Sequence, residues 1–271
     1  MTHLQCNMHT HTFLSDGKDS PREMAETAIA LNMKTLGFSD HVFTPGYEQD
    51  SLPKDMTDYV EQISSLADEY RDRLEIVCGV EEEFEVWNDA PGIQYRIGSR
   101  HSIWRDGYQF LIDNTPEEFD EGVDRLYGGD TKEAVSDYYR LLCSDVEKHV
   151  PEIMGHLDLV RKFNTAGRFF DEDAAWYRSA ALEAAQTAGE KGVIFEINTS
   201  NIARKRRNIF YPADFILKYI LEHGWPVMVN SDAHYAGMLT GAFGLARRRL
   251  MEIGFSSVMV WEDGGFRDCA I

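Results

Sequence analysis

Six of the nine histidines close short polar signatures that follow apolar runs: His9, His11, His41, His101, His156 and His234. In an extended segment, residues two apart point to the same side, so His9-Thr10-His11 aims two imidazoles in one direction. Asp232-Ala233-His234 repeats that spacing with a carboxylate and an imidazole. Glu81, at the start of Glu81-Glu82-Glu83, stands at a comparable place, while Asp16 lies in a less patterned Ser-Asp-Gly turn. Nitrogen and oxygen donors of this kind suit divalent zinc, manganese or iron better than soft monovalent copper.

The elements between these residues explain how they can meet. Leu4–Met8, Thr35–Ser39 and Leu74–Val80 read as strands, with helices over Glu23–Met33 and Met56–Tyr70 between them. Ser20-Pro21 supplies a cap and a first helical residue for the first helix. Tyr95–Ile97 is a short strand, Phe110–Ile112 an irregular one, and Phe119–Leu126 and Lys132–Lys148 are helical. Ile153–Gly155 ends at His156. Helix Asp173–Lys191, strand Val193–Ile197, helix Pro212–His223, strand Pro226–Val229 and helix Phe243–Ile253 follow, before an apolar run at Ser257–Trp261. This alternation predicts a single domain with a parallel α/β barrel of around seven strands, with a doubly wound sheet as the alternative. In a barrel the strand exits share one rim, where side chains distant in sequence converge.

Individual residues also have plainer readings. Asp16 could cap its turn, Asp40-His41 could be a helix or loop hydrogen-bond pair, and Glu82 and Glu83 suit a solvated acidic edge. Glu196 could orient a metal ligand or support a strand end. The four cysteines are far apart and read as mostly buried free thiols.

The chain has 271 residues and a formal charge of −19 at pH 7, which disfavours long nucleic acid and anionic membranes. A small anionic substrate stays possible, because bound cations reverse the field inside a cleft. With no leader-like or membrane-length apolar segment, a cytoplasmic enzyme is expected.

The motifs taken together resemble the polymerase and histidinol-phosphatase (PHP) family. They are His9-Thr10-His11-Thr12, Ser39-Asp40-His41, Gly79-Val80-Glu81, Gly98-Ser99-Arg100-His101, Gly155-His156-Leu157-Asp158 and Asn230-Ser231-Asp232-Ala233-His234. The resemblance implies a distorted (β/α)7 barrel and a centre of three divalent metal ions, zinc, manganese or iron. It implies that His9, His11, Glu81 and Asp232 hold one metal, that Glu81 bridges to a second on His101 and His156, and that Asp16, His41 and His234 hold a third. Some relatives have histidine where Asp16 stands.

Glu196-Ile197-Asn198-Thr199-Ser200, Arg204-Lys205 and the stretch from Gly155 to Lys162 resemble the stand-alone histidinol-phosphatase branch. That branch implies hydrolysis of L-histidinol phosphate to L-histidinol and inorganic phosphate, a step of histidine biosynthesis. Six neutral imidazoles, three carboxylates, three divalent cations and one hydroxide leave the centre about two charges positive, which favours a phosphate dianion. The expected nucleophile is a hydroxide shared by two cations, with Arg161 and Arg204 as donors to the phosphate and no general acid assigned. The rest of the basic run Arg204–Arg207 is expected to face solvent, and Asp158 and Glu196 are candidates for the substrate's ammonium group. The other readings are a phosphodiesterase or exonuclease acting on short or cyclic nucleotides, and a noncatalytic metal- or phosphate-binding regulator.

Overall fold

A computed structural model of the chain describes residues 4–45, 51–205 and 208–271. Arg206 and Arg207 of the basic run lie outside the described residues.

The chain opens with β1 (Cys6–Asn7), α1 (Pro21–Ala30), β2 (Thr35–Phe38), α2 (Thr57–Tyr70) and β3 (Glu75–Glu83). The predicted cap of α1 forms as a reciprocal box. Ser20 accepts from the Glu23 backbone, the Glu23 carboxylate accepts from the Ser20 backbone, and Pro21 begins the helix. Tyr59, Ile63, Leu66 and Tyr70 line the buried face of α2 at helical spacing. Next come β4 (Tyr95–Ser99), β5 (Ser102–Arg105), β6 (Tyr108–Leu111), α3 (Pro116–Tyr127), α4 (Thr131–Lys148) and β7 (Ile153–Met154). The rest of the chain forms α5 (Ala175–Glu190), β8 (Ile194–Asn198), the single turn α6 (Ser200–Ala203), α7 (Asp214–Glu222), β9 (Val227–Asn230), α8 (Phe243–Ile253), β10 (Ser257–Glu262) and β11 (Gly265–Ala270).

Seven strands form one parallel sheet in the order β1-β2-β3-β4-β7-β8-β9. Its two ends meet just beyond β1 and β9, where Thr10 and Ala233 form a parallel bridge. The result is a nearly closed, distorted (β/α)7 barrel, as expected. The irregular strand at Phe110–Ile112 is corrected to the second arm of an antiparallel hairpin, β5–β6, outside the barrel. The run Ser257–Trp261 pairs with β11 instead of adding a barrel strand.

Cys6, Met8, Val77, Tyr95, Ile97, Ile153, Ile194 and Met228 form a core cluster on the barrel strands, and Trp261 of the β10–β11 hairpin joins it. Trp261 locks that hairpin to the barrel: its backbone N–H donates to Cys6 Sγ at 3.3 Å and its ring N–H to Glu75 at 2.9 Å. Tyr95 donates to the carbonyls of Met8 (2.6 Å) and Phe38 (3.0 Å). Its ring lies so close to Gly79 that a Cβ there would meet it at 2.2 Å, so that position of β3 needs glycine. Cys6 and Cys78 are buried free thiols, while Cys143 and Cys269 are half-buried. Among the described residues, no helix is long and apolar enough to cross a membrane.

Candidate metal centre

Beyond β1 the chain stays extended and is stapled to the segment that follows β9. His11 N–H donates to the Ala233 carbonyl (2.8 Å), and Ala233 N–H donates to the His9 carbonyl (3.2 Å). The Asn230 side chain accepts from Met8 N–H at 2.9 Å, and Asn7 donates to Ser231 Oγ at 2.7 Å. The HxH and DxH segments are therefore neighbours. Asp40 fixes the next turn: its buried carboxylate accepts from Thr12 N–H (2.7 Å), Thr12 Oγ1 (3.0 Å) and Ser15 Oγ (2.7 Å). Asp40 thus ties the loop that carries Asp16, and His41 is left to face the centre.

Glu81 lies at the middle. It belongs to β3 instead of following it, because that strand runs on to Glu83 and pairs with β4 through Glu81↔Ile97 and Glu83↔Ser99. Its Oε2 is 3.1 Å from His9 Nε2, 3.3 Å from His11 Nε2 and 3.3 Å from His41 Nδ1. Its Oε1 is 3.0 Å from His156 Nε2 and 3.5 Å from His101 Nε2. One buried carboxylate therefore faces five imidazoles, three on one oxygen and two on the other. Burial alone would push the Glu81 carboxyl up, but His9, His41 and His101 hold it well below the usual carboxylate range.

The remaining candidates close the rim. Asp16 Oδ2 is 2.9 Å from His234 Nε2, and Asp16 Oδ1 lies 3.7 Å from His11 Nδ1 and 3.9 Å from His41 Nε2. Asp232 Oδ1 lies 3.3 Å from His234 Nδ1, 3.5 Å from His11 Nε2 and 3.9 Å from His9 Nε2. All nine expected ligands converge. Their close groupings are Glu81, His101 and His156; His9, His11 and Glu81; His9, His156 and Asp232; and His11, Asp16, His41 and His234. His11 thus reaches the Asp16 group as well as Glu81.

Two carboxylates that the sequence left undecided or assigned elsewhere hold candidate ligands in place. Glu196 accepts from His9 Nδ1 at 2.6 Å and from His156 N–H at 2.9 Å, which leaves His9 Nε2 facing Glu81. Glu83 accepts from the backbone N–H and Nδ1 of His101, at 2.9 and 3.0 Å. The solvated acidic edge is corrected: Glu82 and Glu83 are both buried. The extra length of β3 carries them inside, where Glu82 lies 3.5 Å from Arg96 and burial pushes its carboxyl up to about 8.

The donor set fits divalent cations. His9 Nε2 and both nitrogens of His11 are buried without a hydrogen-bond partner among the described residues, although carboxylate oxygens surround them. Burial, together with His234 and His41, pushes His11 down to about 3, so its imidazole is neutral and keeps a lone pair to donate. Buried nitrogens grouped with acidic oxygens are the usual surroundings of a bound ion.

The centre opens into a cavity of about 530 Å³, also lined by Asp113, Leu159, Lys162, Phe163, Asn201, Arg204 and Tyr211. Arg204 Nη2 lies on its wall, 3.7 Å from Asp232 Oδ1 and within hydrogen-bond reach of the Asp232 carbonyl (3.2 Å). Arg161 is buried and donates to Glu172 (2.7 Å), Asp158 (3.3 Å) and the Phe210 carbonyl (3.2 Å), so the residue that presents its charge to the cavity is its neighbour Lys162. Asp158, one of the two candidates for the ammonium group, also accepts from Ala213 N–H at 2.8 Å, and Glu196 is engaged by the histidines. Glu83, Asp113 and Lys162 carry no separate signal in the sequence, because their roles depend on what packs beside them.

The PHP domain family matches residues 6–200, well over half of the chain. The chain belongs to the PHP family. It is 28% identical to a protein of Deinococcus radiodurans named "Probable histidinol-phosphatase", over 93% of this chain and 95% of the relative. It is 27% identical to the histidinol-phosphatase of Bacillus subtilis, over 84% of this chain and 93% of that one. Among solved structures, the PHP chain resembles histidinol phosphate phosphatase of Lactococcus lactis, described as complexed with zinc, L-histidinol and phosphate. The TM-score is 0.74 at 21% identity, covering 97% of this chain and 99% of the other. That likeness carries the barrel fold.

Proposed function

We propose that this PHP-family chain is a metal-dependent phosphomonoesterase that hydrolyses L-histidinol phosphate to L-histidinol and inorganic phosphate. The observation that carries the reading is Glu81, whose two oxygens face two separate sets of imidazoles at the floor of an open cavity. The similarity of nearly the whole chain to histidinol-phosphatases supports the choice of substrate.

In this reading His9, His11, Glu81 and Asp232 would hold one cation, Glu81, His101 and His156 a second, and Asp16, His41 and His234 a third. Cations held there would supply Lewis acidity toward phosphoryl oxygens and would lower the pKa of a water molecule. The chain's own residues set the geometry. Glu196 and Glu83 orient His9 and His101, and Asp40 holds the turn that presents Asp16. Arg204 and Lys162 place positive charge on the wall where a phosphate enters. Arg161, behind Lys162, braces that wall through Glu172 and Asp158.

The test is phosphate release from L-histidinol phosphate, compared with other phosphomonoesters, dinucleotides and cyclic nucleotides at one metal concentration, alongside elemental analysis. The wild-type protein is expected to turn over L-histidinol phosphate best. Glu81→Gln loses bound metal and at least about 100-fold in kcat/KM, because it removes the shared ligand. Preference for a phosphodiester rejects the substrate, and metal binding without turnover of any ester rejects the enzyme.

A further inference from the structure

L-Histidinol phosphate carries an ammonium group on the carbon next to its phosphate-bearing carbon, so opposite charges enter the site side by side. The cavity wall carries the complementary pair. Lys162 Nζ lies 2.7 Å from Asp113 Oδ2, and both residues line the cavity. Asp113 follows Ile112, whose N–H donates to the His101 carbonyl at 2.8 Å, and Lys162 follows the short helical turn Leu159–Arg161 after His156. The pair therefore joins the two loops that present His101 and His156.

Elimination singles out Asp113. The described carboxylates on the cavity wall are Asp16, Glu81, Glu83, Asp113 and Asp232. Asp16, Glu81 and Asp232 face the imidazole cluster, and Glu83 is held by His101. Asp113 alone among them pairs with a lysine, and its side chain is 26% exposed, so a ligand can reach it. Leu159, Phe163 and Tyr211 add a largely apolar wall that suits a flat ring. Asn201 is buried on the same wall beside Tyr211, and its side-chain amide offers a donor to a ring nitrogen.

We propose that Asp113 is the specificity residue for the substrate's ammonium group, and that Lys162 is its placeholder in the free protein. When substrate enters, Lys162 turns to the phosphate and Asp113 exchanges the lysine for the substrate's ammonium. No covalent bond changes in this step. The inference rests on the proposed histidinol-phosphatase reading.

The experiment compares L-histidinol phosphate with its analogue lacking the amine, 3-(imidazolyl)propyl phosphate, in wild-type protein, Asp113→Asn and Asp113→Glu. Asparagine keeps the shape and one acceptor for Lys162 but loses the charge. A charge-assisted contact of this kind is worth about 10- to 100-fold in discrimination. Asp113→Asn is expected to raise KM for the aminated substrate by that factor while kcat changes by less than about threefold. Its effect on the des-amino analogue should be at least about tenfold smaller, and Asp113→Glu should recover part of the preference. Inhibition by L-histidinol should weaken in parallel, and inhibition by inorganic phosphate should not.

An equal loss on both substrates, or a preference for the amine that survives Asp113→Asn, overturns the assignment and leaves Asp113 as an anchor for Lys162. A wild-type protein that releases no phosphate from L-histidinol phosphate overturns the functional reading, and this inference with it. The two failures are distinguished at the first measurement.

Discussion

Replacing Glu196 by Gln removes one oxygen from a carboxylate with two donors on each side. Oε1 accepts from His9 Nδ1 at 2.6 Å and from Asn230 Nδ2 at 3.1 Å. Oε2 accepts from His156 N–H at 2.9 Å and from Asn198 Nδ2 at 3.0 Å. Whichever oxygen becomes an amide NH2 meets two donors with nothing to accept them. Neither asparagine can turn over freely, because Asn230 Oδ1 holds Met8 N–H and Asn198 Oδ1 holds Ser200 N–H, each at 2.9 Å.

The glutamine must therefore abandon the His156 backbone or drive the His9 proton onto Nε2, the nitrogen that faces Glu81. Two buried donors left without acceptors cost about 1–3 kcal/mol each, so the fold loses about 2–6 kcal/mol. A metal ligand deprived of its orienting carboxylate loses about 10- to 100-fold in affinity. Metal-free protein measures the first quantity as a fall in Tm on the order of 5–15 °C. Titration of manganese or zinc against a competing chelator measures the second, with elemental analysis as the check. A Glu196→Gln protein with unchanged metal affinity, melting within about 2 °C of wild type, would refute the argument that this carboxylate sets the His9 tautomer.

Two further substitutions probe the frame around the site. Gly79→Ala places a methyl group 2.2 Å from the Tyr95 ring, whose hydroxyl holds the Met8 carbonyl next to His9. Overpacking of this kind costs about 1–3 kcal/mol, read as a lower urea midpoint with an unchanged m-value. Arg100→Met breaks a buried guanidinium that donates to Asp145 and Glu85 and to the Ser102 carbonyl, beside His101. Removing one partner of a buried charge pair costs about 3–5 kcal/mol. Thermal melting should show a larger loss than turnover at low temperature does, and a melt unchanged from wild type would contradict the role given to Arg100.

The periodicity of the apolar residues was enough for most of the barrel. Helix Phe243–Ile253 has the expected bounds, and Thr35–Ser39 becomes a strand one residue shorter. These elements are legible because one face of each is buried, which leaves a period in the sequence. The β5–β6 hairpin was not legible as such. Its residues alternate too little, and its antiparallel pairing depends on partners that the local sequence does not name. The acidic triplet at Glu81 misled for a similar reason, since charge suggests solvent until the register of β3 against β4 is known.

From residue types and order alone, the family, the expected barrel and the nine candidate ligands could be written down, because imidazoles and carboxylates at successive strand exits form a pattern that few other arrangements share. Only the tertiary structure decided that a fifth imidazole, His41, also faces Glu81, which carboxylates sit behind His9 and His101, and that Arg161 turns to Glu172 while Lys162 faces the cavity. Those outcomes depend on distances of a few ångströms between segments far apart in the chain. A side chain's type limits what it can bind, and its neighbours in space determine which of those partners it takes.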